Sequence, residues 1–278
     1  MRIRALHLGL ISILGLARAA AADSSATVTE SVKDVDHGSS ASAGTVHAPV
    51  GTRVGDGEFV KTGVQSRAEL QLADLTITRL GANTIFNYSS AKNEVDLRSG
   101  TILFSKPKDG KEMDIKTASV TAAILGTTGF VAFHDHELLF GLIEGHARVT
   151  IAGEAYTIGA GQALHMANGG APQVFAYNVP VLVHSSPMLT KFHHPLPNQV
   201  YIDRAVAEYN DLVARGFVQP PVPPYFAVTD QVFPGIPAIP IVAHSSAGMA
   251  LQQFNNSLNP PPPPPPPPNG SNFPGNSN

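Results

Sequence analysis

His134-Asp135-His136 is the part of the sequence best suited to metal chemistry. Two histidines one residue apart on a strand point to the same face and can chelate a cation. The alternative is that the apolar runs on both sides, with an acid between the rings, form a solvent-exposed hairpin tip. His193-His194, just ahead of Pro195, reads as a loop pair, and His47 and His184 have no acidic companion nearby in sequence.

Other chemistries find less support. There is no Gly-x-Ser-x-Gly elbow and no cysteine, and Ser185-Ser186 and Ser245-Ser246 follow histidines without a recognisable oxyanion arrangement. Paired carboxylates for glycoside hydrolysis converge only in a fold, and nothing in the spacing selects a pair. Exposed aromatic platforms for sugars are disfavoured by the absence of Trp and the presence of only 6 Tyr. The sequence therefore assigns no catalytic, cofactor-binding or metal-ligating residue, and the expectation is a protein that is not an enzyme and needs no cofactor.

The elements that would carry these residues are strands. Alternating apolar runs punctuated by turns fill roughly 44–168: Ala68 to Leu72, Thr76 to Leu80, Val95 to Leu97, Gly100 to Ser105, Met113 to Thr117, Thr128 to Phe133, Leu138 to Ile143, Ala147 to Ile151 and Ala155 to Ile158. Turns fall at Ala73-Asp74, Lys108-Asp109-Gly110, Glu144-Gly145 and Ala152-Gly153. Ser119 to Leu125 reads as a run buried on both faces. The spacing predicts an all-β fold, an antiparallel sandwich or an elongated roll. One C-terminal helix follows within 169–216, capped by Asn198, carrying Ile202, Val206, Tyr209 and Val213 on one face and stopped by Gly216.

The two ends read differently. Arg2 and Arg4, the apolar stretch Ala5 to Leu16 and Ala20-Ala21-Ala22 have the form of a secretory signal peptide over 1–22, with cleavage after Ala22. Residues 23–43 read as a flexible lead-in. A proline-rich tail over 217–278 contains Pro260 to Pro268, a polyproline II tract that serves as a stiff disordered spacer or docks in a partner's aromatic groove. No later stretch reaches membrane-spanning length, so the mature chain is expected to lack a transmembrane segment and to be periplasmic or secreted. The formal charge of −3, which becomes more acidic once Arg2, Arg4 and Arg18 are removed, argues against nucleic acid as a partner.

Val54-Gly55-Asp56, Thr62-Gly63, Ser66-Arg67-Ala68-Glu69-Leu70, Leu72, Asp74 and Arg79-Leu80 occur in that order, followed by Leu97, Ser99-Gly100-Thr101 and Leu103-Phe104. Ile115, Thr117, Gly126-Thr127-Thr128-Gly129-Phe130, Glu144-Gly145 and Val149 complete the series. Over about 51 to 165 this order resembles the FecR domain family. Leu75 departs from it, since members often carry Gly after the Asp. The resemblance implies an all-β extracytoplasmic domain that binds or relays, as in signalling proteins of iron uptake that communicate with an outer-membrane transporter and a sigma factor. Only the domain carries over, because here a signal peptide and a polar lead-in stand where those regulators have an anti-sigma segment and a membrane helix. The function this suggests is an exported, non-catalytic binding or scaffold protein that contacts an envelope protein or cell-wall polymer. A second resemblance is to cupins, in which a second motif adds a histidine to a His-x-His-and-Glu metal site. Gly159-Ala160-Gly161 and His165, taken with His134, His136 and Glu144, imply a metal-binding protein instead. Glu144 lies too far past His136 for that pattern, and His165 is displaced by one residue, which in a strand changes the face.

Overall fold

The computed structural model describes residues 24–220 apart from 40, 41, 43 and 168, so the stretch read as a signal peptide and nearly all of the proline-rich tail lie outside the described residues. Two β-sheets face each other and share one long strand. In spatial order, the first sheet runs β4 (Arg53–Gly55), β1 (Ser24–Val32), β6 (Arg67–Leu72), β7 (Ile77–Leu80), β9 (Glu94–Ser105), β12 (Thr128–His134), β13 (Glu137–Glu144), β16 (Gln162–Met166) and β17 (Gln173–Ala176). The second runs β3 (Val46–His47), β2 (Val35–Gly38), β5 (Phe59–Thr62), β8 (Ile85–Ser89), β9 again, β10 (Met113–Lys116), β11 (Val120–Ile124), β14 (His146–Ile151) and β15 (Glu154–Gly159). Every pairing is antiparallel except β9 with β10.

Strand β9 joins the sheets by changing partners part-way along. Its first half pairs with β8 and β10, and from Gly100 onward it pairs with β12 and β7. Gly100 sits at the crossing with φ +108, a backbone region that L side chains rarely adopt. The inner core between the sheets is filled by alternate residues of each strand, among them Val28, Leu70, Phe86, Phe104, Val131 and Phe140.

A third layer covers the outer face of the first sheet. It consists of α1 (Val179–Ser185), α2 (Pro187–Thr190) and α3 (Gln199–Ala214). Leu182, Met188, Leu196, Ile202 and Tyr209 from this layer meet Phe130 and Leu139 of the sheet in a second core. Central strands β12 and β13 are thus buried on both faces. Tyr177 leads into the layer, its hydroxyl donating to the Leu142 carbonyl at 2.7 Å and its ring meeting Phe130 edge-on at 5.6 Å.

The all-β sandwich expected from the strand pattern is what the chain forms, with four departures. Residues 24–38, read as part of a flexible lead-in, form β1 and β2, and β1 is inserted between β4 and β6. Ala26 and Val28 alternate inward as apolar residues, but the register shifts between Val28 and Glu30 and turns Glu30 to the outer face opposite Glu69, where a buried acid breaks the pattern. Ser119 to Leu125 is not buried on both faces, because β11 alternates buried and half-buried positions. Helices α1 and α2 and strand β17 occupy a stretch read as a connection. Both helices begin with an Asn or Ser cap and a Pro in the first two helical positions, with the Asn178 side chain accepting from the Val181 N–H and Ser186 from Met188. Finally, Asn198 stands at the start of α3, but its side chain makes no capping bond.

Candidate functional site

His134 and His136 do not stand on one face of a strand. Strand β12 ends at His134, and Asp135 (φ 47) and His136 (φ 67) are the two central residues of a tight turn in which His134 pairs with Glu137. His134 Nε2 lies 3.4 Å from Thr101 Oγ1, and His165 Nε2 is 2.8 Å from Glu137 Oε1. Glu144 stands at the far end of β13 from this tip. The four residues that the cupin resemblance would unite are therefore not brought together, and among the described residues no group of three or more His, Asp or Glu could hold a metal ion. His47 does have an acid near it, with Asp36 Oδ1 at 3.9 Å from Nδ1 across the β2–β3 pair.

The ionisable residues of the sheet instead converge at two nodes beneath the helical layer. In the first, Arg79 on β7 donates from Nε to Glu69 Oε2 on β6 at 2.9 Å, with both side chains 1% exposed. Their register places them opposite one another on one face, Glu69 pairing with Arg79. The other guanidinium nitrogens donate to the Met188 and His194 carbonyls, which ties α2 and the following loop to the sheet. Burial pulls the Arg79 guanidinium below its ordinary value, while Glu69 and Glu30 oppose the shift.

The second node lies where β9, β12 and β13 meet the start of α3. Lys106, fully buried, donates to Asp74 at 3.0 Å and Asp109 at 3.1 Å. Lys108 Nζ donates to Glu144 Oε2 at 3.0 Å and to the Gly126 carbonyl at 2.9 Å, beneath the Tyr201 ring. Asn198 Nδ2 reaches Glu144 Oε1 at 2.8 Å and the Lys106 carbonyl at 2.7 Å. The asparagine that sequence reading assigned to capping thus ties the helix to the sheet. Burial raises the Glu144 carboxyl above the usual carboxylate range, against the opposing pull of Lys108 and of bonds from Thr128 and Asn198.

That direction yields a testable expectation. A carboxyl whose folded value is raised binds its proton more readily in the native state, so stability falls as pH rises from the unfolded value through the folded one. Asn198→Ala removes a donor from the ionised form. Its cost in urea unfolding is expected to be about 2 kcal/mol at pH 7, shrinking as pH falls toward the ordinary carboxylate range and Glu144 takes up its proton.

Within the same stretch, Gly126 (φ +61) passes so close to Lys108 that an added Cβ would meet its Cα at 2.9 Å. Gly129 sits against the Gly141 carbonyl, at 2.5 Å from a built Cβ. The Gly126-Thr127-Thr128-Gly129 segment is therefore a turn and a close strand crossing.

Residues 58–148 match the family described as FecR protein. This stretch is a FecR domain. It falls inside the span over which the ordered motif residues resemble that family, and it contains Glu69, Arg79, Lys106, Lys108 and Glu144. Glu30, Met188, His194 and Asn198 lie outside it, so both nodes join the FecR domain to flanking chain. Similar solved structures include a candidate anti-sigma factor from Parabacteroides distasonis, 15% identical, with a TM-score of 0.40 over 42% of this chain and 59% of that one. A second structure of a candidate anti-sigma factor from the same organism is 11% identical, with a TM-score of 0.40 over 57% of this chain and 91% of that one. Likeness at this level transfers neither partner nor activity. No curated protein sequence matches the chain. No helix among the described residues is long and apolar enough to cross a membrane.

Proposed function

We propose that this is an exported, non-catalytic binding or scaffold protein whose FecR domain docks onto another envelope protein. Export rests on the arginine, apolar and small-residue pattern of 1–22. Docking rests chiefly on Leu75. This leucine is 61% exposed and held at φ 68 in the turn between β6 and β7, a conformation for which glycine is the undemanding residue. An exposed apolar side chain in a strained backbone costs the free protein twice, and strain of this kind concentrates at contact sites. Leu75 follows Asp74, which accepts from Lys106 in the second node, and Leu125 and Val200, also exposed at 42% and 62%, adjoin other residues of that node in sequence. Leu125 precedes the Gly126 carbonyl bound by Lys108, and Val200 precedes the Tyr201 ring over that lysine.

Leu75→Gly separates fold from function. Its unfolding free energy is expected to stay level or rise by up to about 1 kcal/mol, as left-handed strain is relieved and glycine's extra chain entropy offsets part of the gain. Capture of partner protein from an envelope extract, using the full chain as bait, is expected to drop severalfold. An unchanged set of captured proteins with Leu75→Gly would remove the support for docking at this end.

A further inference from the structure

Between α2 and α3 the chain crosses the outer face of the first sheet as Lys191-Phe192-His193-His194-Pro195. Two of its imidazoles lie directly over buried acids. The His193 backbone N–H and Nδ1 approach Glu30 Oε2 at 3.2 and 3.0 Å. His194 Nδ1 lies 3.2 Å from Glu69 Oε1. The imidazoles are 84% and 61% exposed, whereas the acids beneath are 9% and 1% exposed. Phe192 packs against the guanidiniums of Arg67 and Arg79, 5.6 and 4.6 Å from its ring centre.

Glu30 is held mainly by this segment. Its Oε2 bonds to His193, while Oε1, 3.8 Å from Arg67 Nε, has no hydrogen-bond partner. Burial alone would raise the Glu30 carboxyl, but the bonds and charge of His193 and the charge of Arg67 bring it below its ordinary value. The charged groups facing the two imidazoles are Glu30 from β1, Arg67 and Glu69 from β6 and Arg79 from β7, with Lys191 on the segment itself. Arginine and lysine keep their charge from pH 5 to 8, and carboxylates as a class are ionised there. Histidine is the side chain that changes charge in this window.

We propose that residues 191–195 are a pH-responsive strap, clamped over Glu30 and Glu69 in mildly acidic medium and loosened toward alkaline pH, where its release uncovers the Arg67–Glu69–Arg79 surface. Protonated imidazoles add Coulomb attraction to the two hydrogen bonds, and that attraction is lost as they deprotonate. The exposed ends of the pairs keep the effect modest.

Hydrogen exchange of the full chain at pH 5.5 and 8.0, corrected for intrinsic rates and read by mass on peptides spanning 187–197, tests this. Protection is expected to be about fivefold higher at pH 5.5, with peptides from β12 and β13 changing little. In His193→Gln with His194→Gln the pH difference should vanish, and in His193→Gln alone, at a mostly exposed position, it should roughly halve. Equal wild-type protection at the two pH values would overturn the strap. So would a difference that persists without the histidines, or one shared equally by β12 and β13.

Discussion

Arg79→Ala is expected to lower unfolding free energy by about 3–5 kcal/mol, the usual cost of removing one partner of a buried ion pair. Several losses converge there. Glu69, 1% exposed, would be left with only Thr29 Oγ1 and His194 as side-chain neighbours at 2.9 and 3.2 Å. The Met188 and His194 carbonyls would lose the donor that ties the helical layer to β7. Phe192 would lose one of its two cationic neighbours. Urea unfolding measures the total. If the cost comes from leaving Glu69 unpaired, the combination Arg79→Met with Glu69→Leu should recover most of it, because replacing a whole buried pair by apolar side chains is often nearly neutral. A double variant as unstable as Arg79→Ala would assign the loss to the two carbonyl bonds instead.

The same residues show how far the sequence could be read. Glu69 and Arg79 belong to the ordered motif residues, and the alternation around them predicts strands correctly, yet nothing local signals that the two point into a covered face. The cover comes from residues 187–194, which are more than a hundred positions away for Arg79. Glu30 shows the converse. Its burial depends on Arg67 and on His193, 163 positions away, so the apolar alternation of β1 breaks at the residue that anchors the strap. Where burial is apolar and neighbours are local, as from β6 to β15, period-two patterning suffices. Where a buried polar group is satisfied from far along the chain, pattern reading takes the group for an exposed one.

The candidate site follows the same division. His134 and His136 drew attention through spacing, but positive φ at Asp135 and His136 places the pair on a hairpin tip. Asn198 looked like a helix cap because caps are recognised locally, while its partners Lys106 and Glu144 sit 92 and 54 positions earlier. Leu75 was the departure visible in sequence, since a bulky residue stood where glycine is common. The structure shows its consequence in an exposed leucine at positive φ.

Gly100→Ala is expected to be among the most damaging single substitutions, costing about 4 kcal/mol or more and preventing folding if the rest of the chain is only marginally stable. A Cβ at this position would stand 2.3 Å from Thr84 Cα and 2.4 Å from Thr84 Oγ1. Neither can move away cheaply. Thr84 Oγ1 accepts from the Thr101 N–H at 3.0 Å and donates to the Gly81 and Thr101 carbonyls, so the clash falls on the bonds that hold the crossing. Backbone strain adds to it, because φ +108 suits glycine alone. Gly153→Ala supplies the comparison. Gly153 also has positive φ, at 87, but nothing lies within 4 Å of a built Cβ, so only about 1 kcal/mol of left-handed strain is expected. If thermal unfolding gave the two variants equal losses, positive φ would account for both and the crossing of β9 between the sheets would not depend on the close approach to Thr84. A much larger loss at Gly100 would locate the constraint in that contact, where one strand serves two sheets and leaves no room for a side chain.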